Sequence, residues 1–375
     1  MKSICCKNTN FSNHHKEITS PRSGELTQTD PAGTIRFDFN DGLTVENTSA
    51  VPLRLRVFDL DGGNTFFDDI VAPGRCHQEL RRYFLRLGFE LRDMKSSRSR
   101  FTYHFNATGK KVLFDFSCAR LRECIAWMTA VEQFVNRHRC RPQLMMPPEA
   151  IRLFASSYRN WHFLPPGSPV DECFATYRMA LHPPENRRDT PIDHHHVALH
   201  RFGASLLGVP PADIPPQLRP PAPPCRTSDR PCVYLRTNAA YFAWEWRHPW
   251  GWETVSDWLA RRNIDVRAIP VPETEIVAHA AEISTAKCLI GPPDAAAWLA
   301  WAYGVKVVLI SGTSLPGTEI PGACHICELS GCNGCRHREW DPDNPDYRQC
   351  PRHRGCECTF NISPERVIAG LKTVI

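Results

Sequence analysis

The densest chemistry in this sequence is sulfur: of 17 cysteines in 375 residues, seven fall between Cys324 and Cys358. Cys332-Asn333-Gly334-Cys335 has the spacing that lets two thiolates hold one ion from a tight turn, and Cys350 and Cys358 follow after 14 and 7 intervening residues. Four thiolates close a tetrahedral structural site, for which zinc is as good an occupant as iron on coordination grounds. Cys324-x-x-Cys327 is a competing pair and Cys356 a competing single ligand, so the spacing points to a metal while leaving the ligand set open. Reduced, unliganded thiols are the plain alternative, disfavoured by two neighbouring CxxC spacings. A zinc ribbon gripping nucleic acid is another, but the acidic, proline-containing stretch 341–346 would repel phosphates, which favours a structural knuckle.

The rest of the composition narrows the setting. Forty-five basic and 40 acidic residues are interspersed for a net charge of +5, which suggests neither a nucleic-acid tail nor a polybasic membrane anchor. No apolar run approaches the ~20 residues that span a bilayer, and the polar start from Met1 to Thr19 carries no apolar export core. The expectation is a cytoplasmic protein without membrane insertion, in which clustered cysteines read as metal ligands rather than disulfides.

Elements that could position this chemistry come in three blocks. Residues 1–31, with Cys5, Cys6, His14 and His15, show no period and read as a tail. Across 32–108, short alternating runs such as Leu53-Arg54-Leu55-Arg56-Val57 are broken by Asn40-Asp41-Gly42 and Asp61-Gly62-Gly63-Asn64, predicting an antiparallel β domain. From 109 to 209, strand and helix patterns alternate: the apolar run Val112 to Phe116 precedes Leu121, Ile125, Met128, Val131 and Val135 at helical spacing. The proline-rich stretch 210–228 predicts an extended linker. Residues 229–375 repeat the alternation, with strands at Cys232 to Arg236, Val266 to Val271, Cys288 to Gly291 and Val305 to Ile310, and a finger over 324–360. Two such lobes joined by a linker predict an α/β cleft protein that takes a nucleotide at the carboxyl ends of its strands.

Several blocks in order carry a more specific likeness: Trp298-Leu299-Ala300-Trp301-Ala302, Val307-Val308-Leu309-Ile310-Ser311-Gly312, Cys332-x-x-Cys335, Cys350-Pro351-Arg352-His353 and Glu357-Cys358-Thr359. Towards the N-terminus stand Phe37-Asp38-Phe39-Asn40-x-Gly42, the Asp59 to Asn64 turn, Arg82-Tyr83-Phe84, and His104 before Lys111-Val112-Leu113. Together they resemble the bacterial autotransporter heptosyltransferases over nearly the whole chain. The resemblance implies a GT-B-like glycosyltransferase with two Rossmann-like lobes, an N-terminal β domain and a C-terminal four-cysteine metal finger. It further implies transfer of heptose from ADP-heptose to serines of an autotransporter passenger, in a cytoplasmic oligomer. Iron would sit on Cys332, Cys335, Cys350 and Cys358, with zinc as the alternative.

Three positions depart from the family's pattern. Where the family places the aspartate of a Gly-Asp-Thr segment as base on the acceptor hydroxyl, this chain has Arg122-Glu123-Cys124, making Glu123 the candidate base, longer by a methylene. The Ser- and Gly-rich phosphate turn is replaced by Gly291-Pro292-Pro293-Asp294, whose prolines remove donors and whose carboxylate opposes an anion. The family's lysine before its Trp-x-x-Pro-x-Gly-Trp segment is Trp244 here, ahead of Trp246-Arg247-His248-Pro249-Trp250-Gly251-Trp252. Arg236 and Arg247 become the candidate phosphate-binding cations, with Trp246 and Gly291 beside them. Two functions follow: an active heptosyltransferase, or a catalytically weakened paralogue serving as a structural or regulatory subunit of the glycosylation assembly.

Overall fold

A computed structural model of the chain describes residues 26–79, 86–181, 196–222, 230–237, 245–269, 272–328, 332–335 and 350–375. Two four-stranded antiparallel sheets come first. One contains β1 (Gln28–Thr29), β2 (Ile35–Asp38), β3 (Leu43–Asn47) and β6 (Cys76–Glu79); the other has the order β5-β4-β7-β8, from β4 (Leu53–Asp59), β5 (Thr65–Val71), β7 (Leu87–Arg92) and β8 (Ser99–His104). The alternation read in the sequence is the burial pattern of β4: Leu53, Leu55 and Val57 face inward, while Arg54 and Arg56 face out. Phe37 on β2 joins the sheets, its ring lying 5.1 Å from Phe89 and 4.7 Å from Tyr103. The expected tail 1–31 is too long by this structure, because β1 pairs Gln28 with Phe37 and the Tyr103 hydroxyl donates to the Gln28 Oε1. Cys5, Cys6, His14 and His15 lie outside the described residues.

Among the points at which the β domain docks on the next unit is the Asp41 corner. Asp41, in the left-handed region at φ 56°, donates its N–H to the Thr176 carbonyl, and its carboxylate accepts from the Arg178 backbone N–H at 2.7 Å and Nε at 2.9 Å. Thr176 and Arg178 belong to β12 (Ala175–Arg178), the edge strand of a parallel sheet ordered β11-β10-β9-β12, with β9 (Lys111–Asp115), β10 (Arg141–Met145) and β11 (His162–Leu164). Its helices are α1 (Leu121–His138), α2 (Pro148–Phe154) and α3 (Leu199–Leu207). The apolar stripe of α1 is buried, and Trp127 on it donates its indole N–H to the Leu199 carbonyl at 2.8 Å. Gly203 is required there, since a Cβ would stand 2.2 Å from the Trp127 ring.

The linker is strapped to this lobe. Thr129 Oγ1 donates to the Ile214 carbonyl, Gln217 N–H to Glu132 Oε1 and Arg219 N–H to Ser157 Oγ, so the described residues 210–222 follow an extended path without helix or strand.

The second lobe is a five-stranded parallel sheet ordered β14-β13-β15-β16-β17, from β13 (Cys232–Leu235), β14 (Asp265–Ala268), β15 (Cys288–Gly291), β16 (Lys306–Ile310) and β17 (Cys324–Ile326). Around it lie α4 (Gly251–Ala260), α5 (Ala280–Ser284), α6 (Ala295–Ala302), α7 (Glu357–Phe360) and α8 (Pro364–Val374). Two differences from the sequence reading stand out. The stretch between β14 and β15, helical by its place in the strand–helix alternation, opens as a 3₁₀ segment over Glu273–His279. Cys324–Ile326, grouped by its cysteine with the finger, is instead an edge strand of the lobe, hydrogen-bonded to β16. The lobes meet helix to helix: α6 is buried on every residue and packs on α1.

Candidate functional site

The carboxyl ends of β9 and β15 and the helices that follow them bring the expected chemistry to the junction of the lobes. Glu123 is the third residue of α1 and 4% exposed. Its Oε2 accepts the Arg120 backbone N–H at 2.5 Å, and its Oε1 the Arg122 Nε at 3.2 Å. The carboxylate therefore caps its own helix, taking a donor that would otherwise be unsatisfied at the N-terminus.

The start of α6 repeats this arrangement with a fully buried ion pair. Asp294 is the N-cap, and its Oδ1 accepts the N–H groups of Ala296 at 3.0 Å and Ala297 at 3.4 Å. Its Oδ2 receives Arg236 Nε at 2.6 Å, and Arg236 Nη1 donates to the Ile269 carbonyl at 2.7 Å. Burial pushes the Asp294 carboxyl up, opposed by the adjacent guanidinium and the two helix N–H groups. Gly291 closes β15 directly against this pair: a Cβ there would meet the Arg236 Cβ at 2.5 Å. Donors and a cation that could receive a diphosphate here thus already hold a carboxylate.

Trp246 and Arg247 sit elsewhere in the second lobe. Trp246 is 3% exposed, donates its indole N–H to the Ile362 carbonyl at 2.8 Å and meets Trp252 edge-on at 4.9 Å. Gly251 admits that ring, since a Cβ would stand 2.8 Å from it. Arg247 is half-exposed and pairs with Glu245 at 3.1 Å. Trp244 lies outside the described residues.

The finger cysteines separate into two groups. Cys324, on β17, lies against Gly370 and within electrostatic reach of Cys288 in the lobe. The Cys358 thiol faces the other group, being pushed up to about 12 by burial and then by Cys335, Cys332, Cys356 and Cys350. Burial also raises Cys350, but the N–H groups of Cys356, Arg354 and Arg352 overcome it and hold this thiol below its ordinary value; the Arg354 N–H lies 3.3 Å from its Sγ. Cys356, left out of the sequence-based set, also donates to Cys350. Soft thiol donors with N–H groups aimed at sulfur fit a thiophilic metal. Even so, among the described residues no three His, Cys, Asp or Glu side chains form a group that could hold an ion. The finger anchors on the end of β16, where Gly334 donates to the Gly312 carbonyl at 2.8 Å and a Cβ on Gly312 would stand 2.5 Å from the Cys358 backbone.

Residues 30–94 match the family model described as the N-terminal domain of glycosyltransferase TibC. The chain is 28% identical to the inactive autotransporter heptosyltransferase BimC of Burkholderia thailandensis, over 91% of this chain and 86% of that one. It is 29% identical to the autotransporter heptosyltransferase BAHTCr of Citrobacter rodentium, over 90% and 86%. The crystal structure of TibC from Escherichia coli, a dodecameric iron-containing heptosyltransferase in complex with ADP-D-β-D-heptose, superposes with a TM-score of 0.82 at 27% identity, covering 95% of this chain and 99% of that one. Over most of its length the chain is similar to autotransporter heptosyltransferases. Its two parallel-sheet lobes have a GT-B-like fold similar to that of TibC, and its leading sheets correspond to the N-terminal β region. Among the described residues no helix is long and apolar enough to cross a membrane.

Proposed function

We propose that this chain is a protein O-heptosyltransferase that moves heptose from ADP-heptose to serine hydroxyls of an autotransporter passenger. The observation that carries this reading is its end-to-end superposition on TibC, a heptosyltransferase captured with its nucleotide sugar. In the transfer, the serine oxygen bonds to the anomeric carbon, the bond to the ADP oxygen breaks, and the serine proton passes to a base. Glu123 takes that proton once it exchanges the Arg120 N–H for the acceptor hydroxyl. Arg236 offsets charge on the departing diphosphate once it exchanges Asp294 for phosphate, Gly291 admitting its side chain, while Arg247 and Trp246 stand as the further substrate-binding candidates of the second lobe. The test is co-expression with a candidate passenger in cells that make ADP-heptose, followed by intact-mass measurement.

Iron held by Cys332, Cys335, Cys350 and Cys358 belongs to the same proposal, supported by the iron of TibC and by the thiol cluster around Cys358. The metal would supply a structural cross-link under the β16 end. Elemental analysis should find about one iron per chain, lost in Cys335→Ser with a drop in thermal stability. Iron retained in that variant would contradict the ligand set. A homo-oligomer is proposed on the same likeness, since TibC is dodecameric.

A second reading is a catalytically weakened paralogue that serves the glycosylation assembly as a structural or regulatory subunit. One observation favours it: Asp294 already occupies the donors at the α6 terminus. Calorimetric titration with ADP separates the two, because micromolar binding supports transfer and undetectable binding supports the weakened subunit.

A further inference from the structure

Where α3 of the first lobe meets α6 of the second, two buried polar groups lack partners. On α3, His200 Nε2 lies 2.7 Å from the carboxylate of Asp213 in the linker, which also receives Arg201 through Nε at 3.0 Å and Nη2 at 2.6 Å. Arg201 and His200 hold that carboxyl down at about 2, so it only accepts, and Nε2 carries the His200 proton. Burial pushes the His200 imidazole below its ordinary value, which favours the neutral ring and leaves Nδ1 a bare acceptor. That Nδ1 is sealed from solvent and makes no hydrogen bond. On α6, Trp298 has no exposed surface, and its indole N–H is sealed and unbonded in the same way. Two other buried tryptophans behave differently: Trp127 donates to the Leu199 carbonyl and Trp246 to the Ile362 carbonyl, each at 2.8 Å.

Buried groups without partners are rare, because each forfeits its hydration. These two are complementary, since Nδ1 can only accept and the indole N–H can only donate. They also come from opposite lobes, with ring centroids 6.1 Å apart and planes tilted by 51°. Trp301 lies beside both rings, 6.2 Å from His200 and edge-on to Trp298 at 5.4 Å, so a bond formed between them would be shielded from water. The His200 ring cannot swing to reach the indole without giving up Asp213. The bond is therefore made by a shift of α6 relative to α3, of the ångström scale at which packed helices shear. Room for it exists: a cavity of about 430 Å³, from which Nδ1 is sealed, separates α3 and the linker from the loop between β16 and β17. We propose that His200 Nδ1 and the Trp298 indole N–H are the two halves of an interlobe latch, open in this structure, which closes when α6 moves towards α3. Trp298 stands one turn beyond Asp294, so the latch moves with the helix whose start holds Arg236. The proposal rests on the packing of α3 and α6 and does not depend on whether heptose is transferred.

The test uses the full chain, free of ligand, with ¹⁵N-labelled histidine and tryptophan, followed by relaxation-dispersion NMR. The Trp298 indole and His200 Nδ1 signals are expected to exchange at one common rate, with a minor state in which Nδ1 has the shift of a hydrogen-bonded acceptor. His200→Gln keeps a partner for Asp213 but has no Nδ1, and should lower the minor-state population seen at Trp298 about tenfold, the effect of one lost hydrogen bond. Trp298→Phe keeps a ring in place and should quiet the exchange at Nδ1; if that variant does not fold, the wild-type chain and His200→Gln decide. Static signals in the wild-type protein, as a permanent bond or a trapped water would give, would overturn the proposal, as would unrelated rates at the two nitrogens or exchange unchanged in His200→Gln. Coupled exchange alongside an unmodified passenger would leave the latch standing and remove transfer. A heptosylated passenger with static signals would do the reverse.

Discussion

At the starts of α1 and α6, Glu123 and Asp294 give their carboxylates to backbone N–H groups and to a neighbouring arginine, Arg122 in one case and Arg236 in the other. On α3, His200 Nε2 meets Asp213 at 2.7 Å while its buried Nδ1 makes no hydrogen bond. The contrast teaches that residue type at a family position does not fix chemical capacity. A group committed to its own helix acts only after a ligand displaces its partner, whereas a buried nitrogen with no partner carries its desolvation cost without return.

The contrast can be broken most forcefully at the buried pair. Arg236→Ala leaves the Asp294 carboxylate uncompensated and should cost about 3–5 kcal/mol, read from the denaturant midpoint, while the double change to Leu at both positions should recover most of it. A loss below ~1 kcal/mol in Arg236→Ala would show that the pair is not committed. Asp294→Ser should free Arg236 and remove a like charge, so ADP affinity should rise by roughly tenfold or more in calorimetry. Unchanged affinity would place the nucleotide elsewhere. The smallest effect on stability is at Glu123: Glu123→Gln keeps the cap shape and should cost about 1 kcal/mol, checked by thermal melting against Glu123→Ala.

Periodicity made much of the scaffold readable. The stripe from Leu121 to Val135 and the compact runs that became β9, β15 and β16 are patterns that burial enforces locally. What stayed hidden depends on tertiary partners. Glu123 and Asp294 look alike as catalyst or cap, because both uses need a short acidic side chain near a helix start. Cys324 was drawn into the finger by its CxxC spacing, while its strand is decided by pairing with β16, which no local pattern records. His200 and Asp213 meet only because the proline-rich linker doubles back along the first lobe. Cys356 stayed a competing single ligand because spacing cannot rank five nearby thiols.

The most direct test of heptosyl transfer is the intact mass of an autotransporter passenger co-expressed with this chain in cells that make ADP-heptose. Mass increments of whole heptosyl units, absent without the chain and reduced by Glu123→Gln, are the expected result. A passenger of unmodified mass beside folded, iron-loaded protein would contradict it.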